Sequence, residues 1–290
     1  MIRVRAPIAA LVLALSGCAA SGCERDQATG VRSLEFLDRS EPVTSRTLQQ
    51  LTGKIAPRDI EVFDPHQRED MVFEALPLTQ VLDDAYGASW REREAIVFSC
   101  LDGYEPTIPV QRVLTHAAFL AVSRVGEADF MLLEHRNGVI RPVELGPFYV
   151  IWSNLDDAQI RAEDGYGWPY QVARIDLVSF RSRFGEMVPS QTAPKKAWDG
   201  FHSFVIHCSR CHAINGHGGK VGPELNYPAN PTEYMKEEWL RKWIADPTSM
   251  RISPTMPPLN PMLPDRARVI DDIVAYLEAI ASHKIEPGWP

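Results

Sequence analysis

The 290-residue sequence has no excess of basic side chains: 30 Lys and Arg stand against 38 Asp and Glu, a formal charge of −8. A chain of that sign is repelled by a phosphate backbone, so nucleic acid is excluded as an expected partner. A bilayer span takes roughly 20 apolar residues, and the run from Ile8 to Leu15 falls well short of that. There is no internal repeat and no glycine-rich phosphate loop of the usual spacing. Cysteine is scarce, with five residues at positions 18, 23, 100, 208 and 211. A second C-x-x-C and an H-x-x-x-H are both missing, so a closed zinc site lacks half of its ligands. A thioredoxin-like dithiol would need a βαβ setting that the residues around 208 and 211 do not supply.

What is present begins with an address. Arg3 and Arg5 precede the short apolar run Ile8–Leu15, the pattern of an export signal. Leu15-Ser16-Gly17-Cys18 then resembles the bacterial lipoprotein box. That resemblance implies a signal peptide over residues 1–18, with Cys18 acylated as the lipid anchor. Several acyl chains on one residue hold stably where a single chain does not. Residues 19–32 are small, polar and aperiodic, Cys23 among them. They are expected to act as a flexible tether reaching about 20 Å. The protein is therefore expected on the periplasmic side of a bacterial membrane, with a soluble body of two ordinary domains.

In an exported protein, Cys208-Ser209-Arg210-Cys211-His212 reads as C-x-x-C-H, the c-type haem attachment pattern. Two thiols add to the haem vinyl groups, and the histidine that follows them is pinned beneath the iron. One such motif predicts one covalent haem c, held by Cys208 and Cys211 with His212 on the metal. Downstream, Gly222-Pro223-Glu224-Leu225 offers the Pro223 carbonyl to the His212 ring N–H, which would fix the iron-binding tautomer. The sixth ligand is expected at Met256, bracketed by Pro254, Pro257 and Pro258 on a stiff, non-helical loop. A rigid thioether there raises the reduction potential. Met250 and Met262 are nearby competitors for the same role. The spacing of Trp239, Leu240, Trp243 and Ile244 predicts a helix over Glu237 to Asp246. A second, over Arg266 to Ser282, follows from Val269, Ile270, Ile273, Tyr276, Leu277 and Ile280.

In this order and spacing, residues 198–284 resemble a class I c-type cytochrome. The landmarks are Gly200 and Phe204 before the cysteines, the attachment motif, Gly222-Pro223-Glu224-Leu225, Thr255-Met256-Pro257, and Tyr276-Leu277. The resemblance implies a small all-α fold around one low-spin haem, with His212 and Met256 axial and single-electron transfer as the function.

Residues 33–184 are expected to form a β-rich domain, and residues 185–197 a polar linker. Strand-like runs lie at Ala95 to Ser99, Phe119 to Ser123, Phe130 to Glu134, Pro147 to Trp152 and Gln171 to Phe180, with helical patterns from Leu78 to Tyr86 and just after Pro109. The fold class is thus α+β: a β-rich domain followed by an all-α cytochrome domain. The phrases FSCLDGYEPTIPV, LGPFYVIW and WPYQVARIDL resemble the shorter, stand-alone form of the sulfite-oxidase-like molybdopterin-binding fold. That resemblance implies that Cys100 can be a molybdenum ligand. Against it, the segment is short and lacks the Arg- and His-rich loops that would hold a pterin phosphate, so the expectation is haem without molybdopterin. Cys100, at the end of an apolar strand, is then a buried thiol.

The function expected is that of a membrane-tethered electron carrier whose front domain docks it to redox partner proteins, subunits of a membrane respiratory complex. The alternative is a molybdenum oxidoreductase that passes substrate electrons to its own haem. From Trp198 onward there are 9 Lys and Arg against 11 Asp and Glu. With no basic ring for steering, docking is expected to depend on apolar contact.

Overall fold

Thirteen strands and nine helices alternate in two blocks in the computed structural model, which describes residues 33–136, 139–161 and 165–288. The expected signal peptide and tether, with Cys18 and Cys23, lie outside the described residues. No helix among the described residues is long and apolar enough to cross a membrane.

The first block runs β1 (Ser33–Asp38), β2 (Glu41–Thr47), α1 (Leu48–Thr52), β3 (Arg58–Asp64), β4 (Glu69–Pro77), α2 (Leu78–Tyr86), β5 (Ala95–Cys100), β6 (Thr107–Pro109) and α3 (Val110–Thr115). It continues with β7 (Ala118–Arg124), β8 (Met131–Arg136), β9 (Val139–Glu144), β10 (Tyr149–Trp152), α4 (Ala158–Arg161), β11 (Val172–Val178) and α5 (Phe180–Phe184). One sheet has the order β2-β1-β11-β5-β6 and a second the order β10-β7-β4-β3, with β8-β9 as a separate hairpin. A single apolar cluster fills the space between them, with Phe36, Phe73, Phe98, Trp90, Trp152 and Trp168 fully buried. In β11 the inward residues Val172, Ile175 and Leu177 are spaced three and then two apart. A bulge against β5 between Val172 and Arg174 absorbs the extra residue and keeps all three on the core face.

The second block is α6 (Lys195–His207), the short pair β12 (Ala213–Ile214) and β13 (His217–Gly218), α7 (Pro231–Tyr234), α8 (Glu237–Ala245) and α9 (Arg266–Ile280). The first and last helices of this block pack closely. A Cβ on Gly200 would sit 1.8 Å from the Asp272 carbonyl oxygen, so only glycine lets the two backbones approach. Phe201 and Phe204 then meet Tyr276 at ring distances of 5.7 and 5.3 Å. The architecture is a β-rich region followed by a helical region, α+β overall.

The stretch expected to be a polar linker over 185–197 differs in the structure. α6 already begins at Lys195, and Met187 is fully buried in the helical core together with Phe184. The polar composition of the stretch concealed its one long apolar side chain, and that side chain anchors it. Strands β1 to β4 were also not expected from the sequence.

Candidate haem site

α6 ends at the first cysteine. The Cys208 amide caps the helix by donating to the Phe204 carbonyl (2.8 Å), and the amides of Cys211 and His212 turn back onto the Cys208 carbonyl at 3.0 and 2.9 Å. One tight turn therefore presents both thiols and the imidazole. Burial pushes the Cys208 thiol up to about 12 and the Cys211 thiol up to about 11, with the Arg210 charge working in the opposite direction. Both remain neutral thiols near neutral pH unless something reacts with them.

The His212 Nδ1 lies 2.9 Å from the Pro223 carbonyl oxygen. A carbonyl only accepts, so Nδ1 carries the proton and the lone pair is left on Nε2, the arrangement a metal-binding histidine needs. Desolvation holds the His212 pKa below its ordinary value, against the pull of the Pro223 hydrogen bond and the Glu224 charge. Gly222 lies flat against this ring. A Cβ there would come within 2.3 Å of the His212 Cε1, so any side chain would displace the imidazole.

Glu224 organises the loop around this ring, a role that the spacing of the motif did not indicate. Its Oε1 accepts from the amides of Asn215 (2.8 Å) and Asn226 (2.8 Å), and its Oε2 accepts from that of Gly216 (3.0 Å). Behind it, Asn226 Nδ2 donates to Asn215 Oδ1 (2.9 Å) and to the His283 carbonyl (2.7 Å). Asn230 Nδ2 donates to the Leu277 carbonyl (3.0 Å), tying the loop to the end of α9.

Cys208, Cys211, His212 and Met256 all line one cavity of about 670 Å³, whose remaining walls include Phe204, Leu225, Leu240, Ile244, Ile273 and Leu277. The volume falls in the usual range for cofactor pockets, and the lining is largely apolar. Met250 also borders it, while Met262 is 86% exposed and borders a different groove. The Met256 loop is fastened from beneath. Leu259 is buried, its amide donates to the Ile244 carbonyl (3.1 Å), and Arg266 donates twice to the Leu259 carbonyl (3.0 and 2.8 Å). Arg266 gave no signal in the sequence beyond its place at the start of an expected helix.

Residues 197–281 match the cytochrome c family model. They form a cytochrome c domain. That domain implies covalently bound haem c and points to electron transfer, and the residues present fit the group: two thiols, an oriented imidazole and a thioether around an apolar cavity. No curated protein matches the chain.

Cys100 lies apart from this cavity. It is 8% exposed at the end of β5, its amide donates to the Tyr104 carbonyl (2.9 Å), and burial drives its thiol pKa far up. The Leu101–Glu105 turn beside it rests on the haem-attachment segment. Among the described residues, no group of three or more His, Cys, Asp or Glu could hold a metal ion.

Proposed function

We propose that the protein is an exported, lipid-anchored monohaem c-type cytochrome that passes single electrons within or to a membrane respiratory complex. The observation that carries this reading is the convergence of Cys208, Cys211, His212 and Met256 on one apolar cavity inside a cytochrome c domain. When bound, the haem supplies a one-electron iron couple. The chain holds the imidazole proton on Nδ1, keeps Met256 on a fastened loop and surrounds the site with apolar side chains that exclude water.

The export signal and Cys18 support tethering. The β-rich region is taken as a short relative of the sulfite-oxidase-like fold that serves in docking to redox partners. Val221, Tyr234 and Met250 are exposed, large and apolar, and border the cavity. They favour a partner that docks by apolar contact over one steered by charge. Purification from native membranes, with identification of co-purifying subunits and a redox titration of the complex, tests the reading. Respiratory subunits with a reversible one-electron couple are expected. A soluble monomer without a membrane partner overturns the respiratory assignment.

A further inference from the structure

The β-rich region is hydrogen-bonded directly to the haem-attachment segment. The Glu105 amide donates to the Arg210 carbonyl (2.9 Å), and the Lys220 amide donates to the Gly103 carbonyl (2.8 Å). One turn thus grips both Arg210, one of the two residues between the cysteines, and Lys220, which leads into the Pro223 loop. Gly103 has φ +88°, and a Cβ there would lie 3.2 Å from the Lys220 backbone, so this contact depends on glycine.

The turn is braced from its own sheet. Its Gly103 amide donates to the Cys100 carbonyl (3.0 Å), and the Glu105 carboxylate accepts from Ser99 Oγ (3.2 Å) and from the largely buried Arg183 (2.9 Å). From this rigid support the Tyr104 side chain reaches across and hydrogen-bonds the Arg210 side chain. Arg210, in turn, borders a cavity of about 60 Å³ together with Cys208, Cys211, His212 and Met256.

The one charged side chain in the lining of that small cavity is Arg210. None of the residues lining it is acidic. Burial and the Arg210 charge drive the His207 pKa down to about 4, so this neighbour stays neutral at neutral pH. Three acids lie outside the lining. Glu105 is engaged by Arg183. Glu224, whose charge is felt at His212, accepts from three main-chain amides. Asp102, whose charge is felt at Cys211, accepts from the Tyr104 amide (2.9 Å) at the exposed side of the turn. A tyrosine oxygen can hold a guanidinium in place without neutralising it, as a carboxylate would.

We infer that the N-terminal domain, through Tyr104, holds Arg210 as a fixed cation beside the haem-attachment cysteines, and that this cation raises the reduction potential of the iron. Taking up one electron makes the site more negative with no bond made or broken. A fixed positive charge stabilises the reduced form more than the oxidised one, and the more so where water is excluded. Arg210 cannot lose its proton in a protein, so the charge is permanent. Tyr104 is a positioning residue, and the N-terminal domain gains a role beyond docking. The inference rests on the reading of Cys208–His212 as the haem site.

The test is a potentiometric titration of the full-length, haem-loaded protein as wild type, Arg210→Gln, Arg210→Lys and Tyr104→Phe, with amide exchange followed at Glu105 and Lys220. Arg210→Gln should lower the reduced-to-oxidised ratio at a set solution potential about tenfold, ~59 mV for one electron. Arg210→Lys should recover most of that change. Tyr104→Phe should lower the ratio by a smaller factor while both amides stay protected, which separates loss of the hydroxyl from loss of the interface. An Arg210→Gln potential equal to wild type, an Arg210→Lys potential as low as that of Arg210→Gln, or an unshifted Tyr104→Phe would each overturn the inference. Wild-type protein without covalent haem would instead remove the haem reading itself, a failure visible before any variant is compared.

Discussion

The Tyr276 hydroxyl donates to the Met187 carbonyl across 2.7 Å, so the last helix of the cytochrome domain is bonded to the segment that joins it to the β-rich region. Both side chains are fully buried. Met187→Ala should cost about 2–5 kcal/mol, as for other buried long side chains cut back to alanine. Tyr276→Phe should cost about 1–3 kcal/mol, because it strands a buried carbonyl. Denaturant unfolding followed by circular dichroism checks both. Values within a few tenths of wild type would mean that this segment is a passive connector.

The iron ligand can be tested by spectroscopy. Met256→Ala should abolish the weak near-infrared sulfur-to-iron band of the oxidised protein and lower its potential, while Met250→Ala and Met262→Ala should leave the band in place. Met262 is mostly exposed and borders another groove, so it is the weakest competitor. A band that survives Met256→Ala and vanishes in Met250→Ala would move the ligand to Met250, which borders the same cavity.

Attachment chemistry gives a separate readout. Cys208→Ala or Cys211→Ala leaves at most one thioether, and the double variant should show no covalent haem on a denaturing gel stained for peroxidase activity. Covalent haem retained in the double variant would show that another cysteine is used.

Asp84 carries a small pH dependence in the β-rich region. It accepts from Lys54 Nζ at 2.6 Å and from Arg46 Nε at 2.7 Å, and these bonds, that of Lys54 foremost, hold its carboxyl below the usual range. A depressed folded pKa stabilises the protein above the unfolded value of 3.8 and is lost as pH falls through the folded value. Asp84→Asn should therefore destabilise by less than about 1 kcal/mol at pH 7. The difference from wild type should close in acid below pH 3.8. A gap that stays constant down to the acid end would show that the charge is not its source.

Much of this arrangement is legible in the sequence because covalent chemistry and helix periodicity leave dense local signals. The attachment motif needs five consecutive positions, and the apolar spacing in 237–246 and 266–282 foreshadows α8 and α9, which end within two residues of the expected bounds. The front of the chain is harder. β2 is largely exposed on both faces, so it lacks an alternating pattern. β4 does alternate, with Met71, Phe73 and Ala75 inward, but Val72 between them blurs the period. Contacts between distant positions leave no local mark at all. Tyr104 and Arg210 belong to different regions, and Glu224 acts through main-chain amides whose positions only the folded loop defines.

Cys100 decides between a carrier and an enzyme. Its thiol is buried, driven far toward the neutral form, and sits behind a turn hydrogen-bonded to Arg210 and Lys220. The purified protein should therefore contain about one iron per chain, matching one C-x-x-C-H motif, and no molybdenum. Cys100→Ser should leave the haem spectra and electron transfer to the native partner nearly intact. It should cost about 1–3 kcal/mol for a hydroxyl placed at a buried site. Denaturation of the variant and metal analysis of the native protein give the two readouts. Stoichiometric molybdenum, lost in Cys100→Ser together with a substrate-dependent reduction of the haem, would replace the carrier with an oxidoreductase.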